Sequence, residues 1–374
     1  MNLIFLSNYF NHHQKSLCDA FYKMLGDEFR FIETDKIGEE RIKLGYKTYT
    51  DIPYTVDANN PQNESLCKEL IDNADVVVFG DAPYEMIENR LKAGKLTFRS
   101  SERIFKEPPQ KWKMPIRALK NYFRYGRYKN FHLLCASAYA SADYARIASF
   151  RKRAYKWGYF PEVKKYGNVD ELLNNKKQNS VLWCGRLIDW KHPELFLEAA
   201  RRLKADGYKF TLDVIGTGDK QDEIVEHIQK NELADVVAFH GSMSPSEVRE
   251  YMEKSRIFLF TSDRNEGWGA VLNESMNSAC AVVASHAIGS VPFLLDDKQN
   301  GMIYKDGVVD DFYAKIKYLL DNPSVCNDLG RRAYYAMQEE WNGENAAKKL
   351  VAFSEMLLND NKAKTPYKIG RAHV

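Results

Sequence analysis

The sequence predicts a two-domain α/β protein whose parallel sheets carry helices on both faces. Three observations support this. The chain has 374 residues, and at roughly 100–200 residues per domain that length calls for two domains. From Ser180 onward, short apolar runs alternate with segments of helical period, the pattern of right-handed βαβ units on a parallel sheet. Charge is divided unevenly: residues 1–170 hold 28 Lys/Arg against 21 Asp/Glu, a balance of +7, and the remainder hold 26 against 30, a balance of −4. Such asymmetry suggests two domains with different partners. With 44% hydrophobic and 28% charged residues the composition is globular, so disordered, collagenous and coiled-coil readings drop out.

In the first half the strand candidates are Leu3–Leu6, Arg30–Glu33, Val76–Phe79, Lys95–Phe98 and His132–Ala136. Met1–Leu6 has no basic residue and only a short apolar stretch, so it reads as a first strand and not as a signal peptide. No apolar run approaches the ~18 residues of a membrane-spanning helix. Trp157–Pro161 and the polar stretch Asn168–Asn179 read as the crossing between domains. In the second half the strands are Val181–Cys184, Phe210–Ile215, Val236–Phe239, Arg256–Phe260 and Ala281–Ala284. The helices between them are His192–Ala205 (apolar at Leu195, Phe196, Ala199 and Leu203), Asp222–Lys230, Glu247–Lys254 and Ala270–Ser278. Pro323 ends one late helix, and two more follow at Val325–Glu340 and Glu344–Leu358. These elements divide the chain into 1–165, 166–345, a helix in 346–360 expected to pack back on the first domain, and a tail, 361–374. The last six residues, Ile369-Gly370-Arg371-Ala372-His373-Val374, read as a translated sequencing adapter, in which case the natural C-terminus is missing, with a natural disordered tail as the alternative; they are left out of the fold argument.

The strongest chemical signal is Asn265-Glu266-Gly267-Trp268-Gly269-Ala270-Val271-Leu272-Asn273-Glu274, a loop running from a strand into a helix. Gly267 and Gly269 let backbone approach a ligand, Trp268 between them is placed at that ligand too, and a helix start supplies N–H donors for phosphate. Glu266 and Glu274 are eight positions apart, up to ~12 Å along a helix axis. That spacing suits one acid on sugar hydroxyls and the other on a ribose with a diphosphate between. Taken singly, either Glu is also an ordinary helix-dipole or surface residue. Gly185-Arg186 closes the first strand of the second domain, with Lys191 five residues on; Arg grips phosphate oxygens in pairs and Lys adds a point charge. Two cations on a solvated loop are the plainer alternative. Gly216-Thr217-Gly218 lacks the third Gly of a dinucleotide fingerprint and reads as a tight strand-to-helix turn near the ligand. His12 and His13 sit at a helix start capped by Asn11, where either could bond a phosphate or an acceptor hydroxyl, or simply rim a cleft. No D-x-D occurs. The six cysteines show no C-x-x-C spacing, which suits a reducing cytoplasm and offers no zinc site.

In order, Gly185-Arg186-x4-Lys191, Gly216-x-Gly218, His240-Gly241 and Glu266-x7-Glu274 resemble family 4 of the retaining glycosyltransferases. The resemblance is close from about Val181 to Leu320. It implies the GT-B fold of two facing Rossmann-like domains, acceptor side first and donor side second. It further implies that Arg186 and Lys191 neutralise the donor diphosphate, Glu266 bonds the donor sugar, Glu274 bonds the ribose, and Gly241-Ser242-Met243 lies near the base. The chain departs from the family at Ala279 and Ala281, where Gly and Pro are usual, and at Phe293, where an acid is common. Ser7–Gln14 replaces a Gly-rich loop, and Arg99–Arg103 stands where a His is often found.

The resemblance implies a metal-independent retaining transferase without a cofactor. It would move a sugar from a UDP- or GDP-sugar to a saccharide or lipid-linked acceptor in envelope polysaccharide or glycolipid synthesis. The alternatives are a nucleotide-sugar epimerase of the same fold, or a non-catalytic sugar-nucleotide binding subunit. The expected place is the cytoplasm, with a peripheral position at the inner face of the plasma membrane suggested by residues 103–131. That segment holds nine basic residues against one acid, Glu107, interleaved with Phe105, Trp112, Tyr122, Phe123, Tyr125, Tyr128 and Phe131. Cations attract anionic headgroups and aromatic rings anchor at the interface; aromatics packed in a core beneath solvated cations, or an anionic soluble acceptor, are the other readings. No nucleic-acid motif accompanies the stripe.

Overall fold

The computed structural model describes residues 1–39, 42, 49 and 51–359; the suspected adapter residues Ile369–Val374 lie outside the described residues. The chain divides into two compact units, one made of Met1–Glu162 and the chain from Asn342, the other of Val163–Trp341. The sequence expectation put those divisions at residues 165 and 345.

Among its described residues the first unit is a sheet of seven parallel strands: β1 (Leu3–Ser7), β2 (Phe29–Glu33), β3 (Thr55–Asp57), β4 (Val76–Phe79), β5 (Thr97–Ser101), β6 (Phe131–Cys135) and β7 (Ala154–Lys156), in the order β3-β2-β1-β4-β5-β6-β7. The second is a six-stranded parallel sheet of β8 (Ser180–Cys184), β9 (Thr211–Ile215), β10 (Val237–Gly241), β11 (Ile257–Phe260), β12 (Ala281–Ser285) and β13 (Met302–Tyr304), in the order β10-β9-β8-β11-β12-β13. Both orders are the doubly wound one, in which winding reverses beside the first strand, at β1/β4 and at β8/β11. The central strands β1, β4, β6, β11 and β12 are buried along their whole length. Such unbroken burial, without alternation, follows from covering both sheet faces with helices.

In the second unit the helix Pro193–Ala205 buries Leu195, Phe196, Ala199 and Leu203 against the sheet, as its period predicts. Three corrections to the expected elements have clear causes. The fifth strand starts at Thr97, because Lys95 is spent on the preceding turn, its N–H donating to the Arg90 carbonyl and its ammonium to that of Asp72. At its other end the strand runs on through the polar Arg99-Ser100-Ser101, which pair with Leu133, Leu134 and Cys135 of β6. The stretch Asn168–Asn179 is not a crossing but carries the helix Val169–Asn175, capped by the Asn168 side chain and packed on Ala279 and Tyr334 within the second unit. The helix Val309–Asp321 ends just before Pro323, as expected, but the next starts at Pro323 and not at Val325, because proline fits the first turn of a helix, where its missing N–H has no partner to lose.

The last helix, Gly343–Leu358, packs on His12–Leu25 within the first unit. A Cβ at Gly343 would lie 2.6 Å from the Ser16 carbonyl, so only glycine allows this approach. Phe353 packs with Tyr155 and Phe98, at ring-centre distances of 4.6 and 5.8 Å. All six cysteines are free thiols. Among the described residues no helix is long and apolar enough to cross a membrane.

Candidate active site

In a doubly wound sheet, ligands bind beyond the carboxyl ends of the strands, where the strand order reverses. In the second unit that point lies past Cys184 of β8 and Phe260 of β11, and the turns leaving these strands carry Arg186, Lys191 and Glu266. The Lys191 ammonium lies 2.7 Å from Glu266 Oε2, and both side chains are only 12% exposed. Ser262 Oγ donates to the same carboxylate oxygen at 3.0 Å. Trp190 forms a platform beneath both cations, its ring centre 4.9 Å from the Lys191 ammonium and 5.7 Å from the Arg186 guanidinium carbon. Arg186 itself is exposed. The geometry therefore holds one cation already neutralised by a carboxylate beside a second that is open to an anion.

Backbone packing sets this arrangement. A Cβ at Gly216 would stand 1.8 Å from the Gly185 carbonyl oxygen, and one at Gly218 would stand 2.3 Å from that of Leu187. The N–H of Leu187 donates to the Thr217 carbonyl at 2.9 Å, and that of Gly185 to Ile215 at 3.0 Å. The Gly-x-Gly turn thus works by letting its loop close on the Arg186 loop. Behind it the buried Trp183 donates from Nε1 to Thr261 Oγ1 at 2.8 Å, and Thr261 donates in turn to the Lys191 carbonyl. This relay ties β8, β11 and the Lys191 turn together.

The Glu266–Glu274 segment is only partly helical, since the helix is Val271–Asn277 and Glu266 lies in the loop before it. A rise estimate over eight helical positions therefore does not apply. Gly269, at φ 77°, has the left-handed backbone that favours glycine, and a Cβ there would meet the Phe260 ring at 2.3 Å. Gly267 is buried. Trp268, expected at the ligand, is fully buried; its Nε1 donates to Asn273 Oδ1 at 2.9 Å and its ring lies 5.8 Å from that of Trp341. Its side chain anchors the loop from within. Glu274 is half-buried, and burial raises its carboxyl pKa, with Arg249 opposing. Burial, reinforced by the Glu274 charge, pushes the Cys184 thiol up to about 12, which leaves that thiol neutral.

Gly241 ends β10, and its carbonyl accepts from Gly216 N–H at 2.7 Å; a Cβ built on it meets nothing within 4 Å. The neighbouring His240 bonds Asp213 at 2.7 Å. His192 bonds Glu194 at 2.8 Å and Asp263 at 3.4 Å, and these partners raise its pKa.

In the first unit, His12 and His13 open the helix His12–Leu25, and Asn11 caps it by accepting from His13 N–H at 2.9 Å. The two rings lie 3.9 Å apart, and burial lowers the pKa of His12. His13 lines a pocket of about 480 Å³ at the carboxyl end of this sheet, together with Asn8, Asp81, Arg99, Glu102 and Tyr159. Arg99 donates to the Gly80 carbonyl and lies 4.7 Å over the Phe79 ring, while Tyr159 donates to Glu102 at 2.6 Å.

Sequence reasoning missed Ser262, Trp190 and Asp81. Trp190, an aromatic set against Lys191 near Arg186, was the one of these with a legible signal.

Residues 168–335 match the family model described as glycosyl transferases group 1. The chain is 25% identical over 211 residues to an uncharacterised glycosyltransferase of Methanocaldococcus jannaschii, covering 56% of this chain and 55% of that one. It is 26% identical over 206 residues to the amylovoran biosynthesis glycosyltransferase AmsK of Erwinia amylovora, covering 52% and 50%. The chain thus spans about half the length of the curated relatives it matches. Its fold is similar to that of HepE from Anabaena, solved in complex with UDP, with a TM-score of 0.69 at 14% identity over 95% of this chain and 100% of that one. The matched segment opens at the Asn168 cap and closes in the helix Pro323–Glu339, so it takes in Arg186, Lys191, Glu266 and Glu274, and the fold is that of the GT-B glycosyltransferases, built of Rossmann-like α/β units.

Proposed function

We propose that this protein is a retaining glycosyltransferase that moves a sugar from a nucleoside-diphosphate donor to a hydroxyl of a saccharide or lipid-linked acceptor. The observation that carries the reading is the convergence of Arg186, Lys191 and Glu266 where the strand order of the second sheet reverses, with Lys191 and Glu266 2.7 Å apart. The match of this segment to glycosyl transferases group 1 and the likeness to a UDP complex support it. The relative named for amylovoran biosynthesis supports a polysaccharide setting.

In this reading Arg186 and Lys191 face the diphosphate, where charge grows as the bond from sugar C1 to phosphate oxygen breaks, and fixed cations lower that barrier. Glu266 orients the sugar hydroxyls, and Glu274 holds the ribose. The acceptor oxygen forms its bond to C1 on the face the phosphate leaves, and its proton passes to the departing phosphate oxygen. No protein base is then required, and Arg186 and Lys191 do the neutralising that a metal would otherwise do. The pocket of the first unit, lined by Asp81, Arg99 and Glu102, is the acceptor side.

The test incubates the protein with UDP- and GDP-sugars and envelope saccharide or glycolipid acceptors, with and without EDTA. Released nucleotide and a product of unchanged anomeric configuration, insensitive to EDTA, are expected. An epimerised donor would establish the epimerase alternative. A donor that binds but is never consumed would establish a binding subunit, and an inverted product or a strict metal requirement would overturn the mechanism.

A further inference from the structure

The helix Met114–Asn121 has no buried residue. A tighter turn, Lys111–Lys113, precedes it and a wider one, Tyr122–Gly126, follows. At about 100° per residue, Met114, Ala118, Asn121 and Tyr125 share one face. These are the half-buried positions through which the segment rests on its unit. The opposite face carries Trp112, Ile116, Leu119 and Phe123, spaced i, i+4, i+7 and i+11, and they are 71%, 69%, 62% and 53% exposed. A surface helix of a soluble domain places its apolar stripe inward; this one places it outward. Lys113, Arg117, Lys120 and Arg124 border the stripe on one side and Lys111 on the other, while Glu107 is the one acid between residues 103 and 131. An apolar crown with a cationic rim is the arrangement of a helix lying in a membrane interface, its apolar side chains among the acyl chains and its cations at headgroup level.

We propose that this face docks on an anionic lipid bilayer. Charge decides the occupant. A second copy of the chain would set one cationic rim against another, and a purely apolar partner would leave the rim without anions, whereas an anionic bilayer supplies both an apolar layer and a plane of phosphates. The inference concerns binding alone and does not depend on the reaction proposed above.

The test sediments the full chain with vesicles of phosphatidylcholine alone and of phosphatidylcholine mixed with phosphatidylglycerol. Binding to the mixed vesicles is expected, released as salt approaches about 1 M, where the screening length is only ~3 Å. Changing Lys113, Arg117 and Lys120 together to Gln should weaken that binding about 100-fold, at about fivefold per cation. Ile116→Ser with Leu119→Ser and Phe123→Ser should abolish it with an unchanged thermal midpoint, because these side chains are exposed. Failure to bind either vesicle would overturn the proposal, as would binding that survives the Ser substitutions. A self-associating protein made monomeric by those substitutions would reassign the face to a second copy.

Discussion

Replacing Glu266 with Gln should tighten the binding of UDP while slowing sugar transfer. Lys191 and Glu266 are paired at 2.7 Å with both side chains 12% exposed. A diphosphate reaching Arg186 and Lys191 must share the Lys191 ammonium with that carboxylate. Two anions bonded to one ammonium stand about 5–6 Å apart, and at an effective dielectric near 20 they repel by about 3 kcal/mol. Residual solvent contact and salt reduce this to about 1–2 kcal/mol. Gln keeps the shape and can still accept from Ser262, but it removes the charge. The Kd for UDP should therefore fall about 5–30-fold. Turnover at saturating donor should drop on the order of 10²-fold if Glu266 orients the sugar in the transition state. Isothermal titration with UDP and initial-rate kinetics on the same two proteins measure both effects. A Glu266→Gln protein that bound UDP tenfold more weakly would refute the repulsion argument, and would mean that the carboxylate serves the diphosphate by holding Lys191 in place.

Gly216→Ala should cost more than ~3 kcal/mol in urea unfolding, because its Cβ would stand 1.8 Å from the Gly185 carbonyl oxygen and the two loops must part; a cost under ~1 kcal/mol would contradict that packing. Thr261→Val should cost about 1–3 kcal/mol by leaving Trp183 Nε1 and the Lys191 carbonyl without partners, and a stability equal to wild type would show that the relay is idle. His192 has a raised pKa, first through its bond to Glu194. Its contribution is therefore full below the unfolded value of about 6.5 and is lost as pH rises through the higher folded value. His192→Asn, which tolerates the left-handed φ of 48°, should accordingly destabilise more at pH ~5.5 than at pH ~8.5, and an equal loss at both would remove the charge from the account. Arg186→Ala should lower turnover ~10²–10³-fold, whereas Glu274→Ala should mainly raise the Kd for nucleotide, since a ribose is held alike in ground and transition states; the reverse pattern would exchange their roles.

Much of the scaffold was legible. Val76–Phe79 matches its strand residue for residue, and the second-unit strands differ from expectation by a residue or two at their ends. The three strands that escaped, Thr55–Asp57, Ala154–Lys156 and Met302–Tyr304, are three-residue edge strands. Three residues are too few to show a period. The site was legible as an ordered set of motifs, but what each residue touches was not. Trp268, between two glycines, looked like a ligand contact and proved to be core, while Ser262 carried no signal and proved to bond Glu266.

The aromatic, basic segment 103–131 shows the division most plainly. Its composition alone left open whether the rings were core or surface. The fold separates them: Phe105 and Phe131 are buried, Tyr125 stacks on Phe150 at 5.8 Å, and Trp112, Tyr122 and Phe123 stand in solvent beside Ile116 and Leu119. Sequence by itself determined the alternation of strands and helices, the doubly wound class and the set of motif residues that the turns after β8 and β11 carry, because hydrophobic period and turn chemistry are local properties of the chain. Only the tertiary structure decided that Gly216 serves the Gly185 carbonyl, that Lys191 is already paired with Glu266, and which face of the helix Met114–Asn121 remains uncovered. Each of these is a contact, or the lack of one, between segments distant in sequence, and it exists only once the sheet has brought their ends together.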